Sequence, residues 1–156
     1  ILVYALKATK IEEDKKKANN IAIEYLGLVG LSEYINSYPH QLSGGMKQRA
    51  ALARALSLKP DVLLMDEPLG SLDAITRNEI QKLILDIWEK YKITIVFVTH
   101  DVDEAIKLST RILIMDDTIK GIKYDIKNKT SLIKEDIEIK QYNNLLKDKI
   151  IKSMNH

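Results

Sequence analysis

Two short groups of residues in this sequence have the makings of phosphate chemistry. The first is Ser43-Gly44-Gly45, set between Leu42 and Met46-Lys47-Gln48-Arg49. Glycines let the backbone close on an oxyanion, and a helix beginning there directs free N–H groups and the positive end of its dipole outward. The serine adds a hydroxyl donor, so the three would cradle a terminal phosphate. A serine-capped Gly-Gly turn ahead of an ordinary helix has the same three residues, and alone they favour that plainer reading. The second group is Asp66-Glu67, which ends the apolar run Val62-Leu63-Leu64-Met65 and precedes Pro68. At the carboxyl end of a buried strand, one carboxylate can hold Mg²⁺ through its water shell while its neighbour, pointing the other way, orients an attacking water. Ser71-Leu72-Asp73 follows after one turn and reads by itself as a helix start. His100, in Thr99-His100-Asp101, stands just past a β-branched run, where an imidazole could bond a phosphate oxygen. A lone histidine is more often structural or merely exposed.

These groups need elements to hold them. Over residues 12–29, Ala18, Ile21, Ala22, Tyr25, Leu26 and Val29 recur at helical steps, and Gly27 and Gly30 weaken and end that helix. Ser43 is a good N-cap for an alanine- and leucine-rich helix reaching about Leu58, stopped by Lys59-Pro60-Asp61. Residues 62–65 are too short and too uniformly apolar for an amphipathic helix and predict a strand buried on both faces. Ile80, Leu83, Ile84, Ile87, Trp88 and Tyr91 form another helical stripe, and residues 93–98 predict a second buried strand. A short helix over 102–108 precedes a third strand at 111–115. Strands separated by helices indicate an α/β core. Residues 1–6 could open either element. In the tail, Ile122, Tyr124 and Ile126 alternate with polar residues as in an exposed strand, and residues 139–151 carry a helical stripe.

Composition bounds the rest. The chain has 156 residues, room for one domain, with 46% hydrophobic and 29% charged residues, ordinary values for a soluble globular protein. The formal charge of +2 is too even to argue for nucleic acid. There is no cysteine, hence no disulfide or thiolate metal site, which suits a reducing cytosol. No apolar run approaches the roughly 20 residues of a membrane helix. No signal peptide is visible, and Ile1 in place of Met leads us to expect a cut, intracellular chain. Lys15-Lys16-Lys17 reads as a solvated helix face.

In this order, Leu42-Ser43-Gly44-Gly45-Met46, the apolar run with Asp66-Glu67-Pro68, Ser71-Leu72-Asp73 and His100 resemble the signature, Walker B, D-loop and switch histidine of the ATP-binding cassette (ABC) ATPases. Met46, where the family's commonest form has glutamine, and Tyr38-Pro39-His40-Gln41 before it are similar to importers of the nitrate, sulfonate and taurine group. The resemblance implies an incomplete RecA-like P-loop NTPase core with part of the ABC helical subdomain. It divides the chain into helical subdomain (1–60), second half of the core (61–116) and carboxy-terminal extension (117–156). It implies that ATP is met by Ser43, Gly44, Gly45, Gln48 and Asp73, that Asp66 is the Mg²⁺ ligand, and that Glu67 and His100 are catalytic. The complete subunit would dimerise head to tail, Ser43-Gly44-Gly45 of one copy closing on ATP held by the other. It would drive a transmembrane permease from the cytoplasmic face of the membrane, as a peripheral protein served indirectly by an external solute-binding protein, without nucleic acid.

The family's Walker A loop, Gly-x-x-x-x-Gly-Lys, is not among these residues: none of the six glycines precedes lysine. No glutamine precedes Gln41, so the Q-loop is missing too. In the family's sheet the Walker A strand lies between those matched by 93–98 and 111–115. Without it two strand edges stand unpaired, so the chain alone should be marginally stable, prone to aggregate, and without turnover. Two other readings use the same residues. An ABC-type ATPase of DNA repair or chromosome maintenance would have a long coiled coil, for which no heptads appear. A non-catalytic module would lend only its signature face, which the intact Asp66, Glu67 and His100 argue against.

Overall fold

A computed structural model of the chain describes residues 2, 14–116, 119–128 and 137–154. Most of the first apolar run (1 and 3–6), residues 12–13 of the first expected helix and 129–136 of the tail lie outside them. Asp14 starts helix α1 (Lys15–Leu28): its carboxylate accepts the N–H groups of Lys16 and Lys17 at 2.8 and 2.9 Å, donors the helix cannot satisfy itself. Gly30, at φ +73°, turns the chain out in the left-handed region glycine reaches without strain. Helix α2 (Gly44–Ser57) is capped by Ser43 and α3 (Ala74–Tyr91) by Asp73, as their sequences indicate. Ala18 and Ala53 are fully buried, and α1 packs on α2, α2 on α3. Small side chains let those helix backbones approach closely.

Between the helices run β1 (Val62–Asp66) and β2 (Thr94–Val98), paired side by side. The Thr94 N–H donates to the Asp61 carbonyl at 3.3 Å, so the strands begin together, as in a parallel pair joined by a crossover helix. One expectation fails. Neither strand is buried on both faces: Leu63 and Met65 are buried, but Leu64 is 74% exposed, and Val62, Val96 and Val98 are open as well. A uniformly apolar strand reports what both its faces can bury, and among the described residues only one face finds cover.

The contacts divide the chain into two compact units, Ile1–Val96 and Phe97–His156. This division follows packing, whereas the segmentation at 60 and 116 followed the motifs. In the second unit α4 (Val102–Leu108) leads to β3 (Arg111–Asp116), which pairs antiparallel with β4 (Gly121–Lys127). Arg111 meets the Asp125 carboxylate through two hydrogen bonds of 2.8 and 2.6 Å across this pair. The register runs Arg111 against Lys127 to Asp116 against Gly121, with an irregularity between Ile114 and Met115. Among the described residues, β3 has no other strand partner. The tail does more than extend the chain. Leu146 and Ile150 of α5 (Ile137–Met154) close a core with Ile106 and Ile112, and Asn128 donates to the Ile106 and Ser109 carbonyls at 2.7 and 2.8 Å, finishing α4.

Truncating Ile150, 3% exposed, to alanine should therefore destabilise this unit by about 2–5 kcal/mol in urea melts. Leu145→Ala on the same helix, 70% exposed, should stay within about 0.5 kcal/mol. The open apolar strand faces should make the isolated chain self-associate with rising concentration, read by sedimentation. A monomer with one cooperative thermal transition at every concentration would contradict that expectation.

Candidate functional site

The head of α2 is built by its own sequence. Ser43 takes an extended backbone, its Oγ accepts the Met46 N–H at 3.3 Å, and its carbonyl accepts the Lys47 N–H at 2.9 Å. The two glycines that follow differ. Gly44 is exposed, and a Cβ placed on it would meet nothing within 4 Å. Its backbone is open to a ligand. Gly45 is buried, and a Cβ there would overlap the Cγ2 methyl of Thr76 on α3. Gln48 is half-buried one turn on.

The head of α3 lies against this loop. Asp73 accepts the Ile75 and Thr76 N–H groups at 3.1 and 3.0 Å on Oδ1, and the Thr76 hydroxyl at 2.7 Å on Oδ2. Arg77 donates to the Leu72 carbonyl at 3.1 Å, holding the turn that delivers Asp73. Arg49 adds a second tie, donating to the Val29 carbonyl at the end of α1 and pairing with Glu79 of α3 at 2.8 Å. The structure thus brings Ser43, Gly44 and Gly45 together with Asp73. The contributions of Thr76, Arg49 and Arg77 went unread in the sequence. Thr76, three residues after an N-cap aspartate, carried a local signal; Arg49 bridges elements distant in sequence and carried none.

Asp66 and Glu67 stand exposed at the carboxyl end of β1, and Glu67 takes φ +40°, left-handed for a residue with a side chain. Among the described residues, no three His, Cys, Asp or Glu side chains gather to hold a metal. Mg²⁺ bound beside a nucleotide needs only one or two carboxylates plus phosphate oxygens, so Asp66 fits that role as one ligand. His100, exposed just before Asp101 caps α4, belongs to the second unit.

A family model described as ABC transporter matches residues 4–70. This segment belongs to the ABC transporter family. The ABC match includes Ser43, Gly44, Gly45, Gln48, Asp66 and Glu67, and it ends before Asp73 and His100. The chain is 46% identical over 114 residues to a nitrate import ATP-binding protein of Synechococcus elongatus, covering 73% of this chain and 42% of that protein. It is 53% identical over 106 residues to an aliphatic sulfonates import ATP-binding protein of Bacillus cereus, covering 68% and 42%. The subfamily resemblance read from Met46 is borne out. The chain spans about two fifths of the length of these relatives. A solved structure described as a metal-chelate type ABC transporter, inward-facing, superposes with a TM-score of 0.74 at 23% identity, covering 85% of this chain and 53% of that one. The fold is therefore a partial ABC ATPase fold, mixed helix and strand, as its motifs implied.

Asp73 gives a pH test. The Thr76 N–H, then the Thr76 hydroxyl, hold its carboxyl below the ordinary value of 3.8. With the folded value depressed, the cap's contribution is complete above pH 3.8 and is lost as pH falls through the lower folded value. The Thr76 amide resonance should hence stay put from neutral pH down to 3.8 and move only below it. In Asp73→Asn, which keeps an acceptor but does not titrate, that movement should vanish.

Proposed function

We propose that this chain is the later part of the ATP-binding subunit of an ABC importer, acting in ATP hydrolysis that powers solute uptake through a membrane permease. One observation carries the reading: Gly44 lies open at the head of the Ser43-capped helix, in the same unit as the exposed pair Asp66 and Glu67. A phosphate approaching Gly44 meets unbonded helix N–H groups and the dipole's positive end. Asp66 would hold Mg²⁺, which neutralises phosphate charge when bound. Glu67 orients and deprotonates the attacking water, and His100 bonds a γ-phosphate oxygen. Gln48 and Asp73 complete the nucleotide-facing side.

The phosphate-gripping loop comes from outside these residues, so the assembly we propose is a dimer of ATPase subunits in which Ser43-Gly44-Gly45 of one copy closes on ATP held by the other. It sits peripherally on the cytoplasmic face against a permease, with a solute-binding protein acting indirectly. Among the described residues, no helix is long and apolar enough to cross a membrane, in keeping with a peripheral role. Nitrate and sulfonates, named for the relatives, mark small oxyanions as candidate solutes. The import names of these relatives do not favour a chromosome-maintenance ATPase.

The purified chain should release no phosphate from Mg-ATP, because oriented catalytic groups cannot act on a phosphate nobody holds. Adding a polypeptide that supplies the Gly-x-x-x-x-Gly-Lys half should restore turnover, and Glu67→Gln should lower it by about 10²–10⁴-fold. Magnesium-dependent hydrolysis by the chain alone, or full turnover in Glu67→Gln, would overturn the reading.

A further inference from the structure

We infer that Thr76 is a positioning residue that locks the Ser43-Gly44-Gly45 loop to the Asp73 turn, and that Gly45 is glycine in order to receive it. Three observations converge. The Thr76 methyl occupies the space where a Cβ on Gly45 would stand, while Gly44 beside it has open space. The Thr76 hydroxyl, on the same Cβ, is bonded to Asp73 Oδ2 at 2.7 Å, and the Thr76 N–H to Oδ1 at 3.0 Å. Thr76 itself is half-buried, at the junction rather than in solvent.

A threonine has two γ substituents on one stiff torsion. Turning the methyl away from position 45 swings the hydroxyl off Asp73, so the two contacts hold or break together. A β-branched residue with one apolar and one polar arm can make this link, and neither serine nor valine can. The loop offered to phosphate and the turn carrying Asp73 then move as one piece. This coupling deepens the nucleotide-face reading above and rests on it for its functional meaning, though the lock itself is a property of one compact unit.

The lock predicts a rescue. Gly45→Ala should force Thr76 to rotate, costing hydrogen-exchange protection at the Ile75 and Thr76 amides, which Asp73 caps. Thr76→Ser removes the methyl and keeps the hydroxyl. The next atom a Cβ on residue 45 would meet is the Cβ of residue 76, at 3.8 Å, an ordinary contact. In the Thr76→Ser background, Gly45→Ala should leave those amides as protected as in Thr76→Ser alone. The measurement is hydrogen exchange resolved to single amides, on the 156-residue chain kept dilute enough to remain monomeric. An undisturbed Asp73 cap in Gly45→Ala, or equal loss in both backgrounds, would overturn the lock. Rescue of exchange without any response to Mg-ATP and the complementing half would leave the lock standing and sink the nucleotide-face reading.

Discussion

The close approach of α2 and α3 at Gly45 is the constraint on which the rest of the first unit depends. Gly45 has no side chain, so its backbone can sit directly on the Thr76 methyl, and two helix heads arrive at one place. Each head is capped by its own residue, Ser43 or Asp73, so first-turn N–H groups of both helices are held in place by side chains of the same turn. Arg49 then braces the same junction from one turn further along, reaching the end of α1 and Glu79 of α3. The ion pair itself lies partly in solvent and adds little stability; its worth is in fixing geometry. Position, more than binding energy, is what this arrangement supplies.

The strands tell the opposite story. The inward residues of β1, Leu63 and Met65, are buried and those of β2 are half-buried, while the outward apolar residues, Leu64 above all, are in water. Burying one such leucine gains about 1.5–3 kcal/mol, so four open positions on β1 and β2 amount to a considerable unused driving force. The second unit solves the same problem for one face of its own pair by folding α5 back, with Leu146 and Ile150 against Ile112. Covered and uncovered faces in one short chain explain why its helices look complete while its sheets look half built.

Much of this was legible in the residues. The α-helices and strands within residues 14–154 that the structure describes follow from apolar spacing and caps, because those are local choices of the chain, whereas the single 3-10 turns at Ser32–Tyr34 and Pro39–Gln41 do not. The family was legible because Ser43-Gly44-Gly45 and Asp66-Glu67 sit in a fixed order with distinctive flanks. Burial on both strand faces was misread, since an apolar run records what a strand can bury and not what is present to bury it. The role of the tail was equally hidden: the stripe over 139–151 announces an amphipathic helix without saying which surface it will meet. The difference between Gly44 and Gly45 could not be seen at all, because it is set by a side chain some thirty residues away.

Glu67 shows how such a strand end sets consecutive carboxylates on different backbone geometry. In an unbroken strand Asp66 and Glu67 would simply alternate across the pleat. Instead Glu67 takes φ +40°, a left-handed value that costs a side-chain-bearing residue about 1–3 kcal/mol. The cost is met next door: Leu69 is fully buried, and the Gly70 N–H returns to the Glu67 carbonyl at 3.4 Å. Anchoring Leu69 bends the chain sharply after Asp66, so the strand ends on one carboxylate and the turn begins on the other. The turn stays close to the Glu67 side chain: a Cβ placed on Gly70 would lie 3.9 Å from its Oε2, an ordinary contact. A β-strand that ends and a buried leucine just beyond it thereby give two adjacent acids different backbone geometry, as the proposed division into a metal ligand and a water-activating base would need.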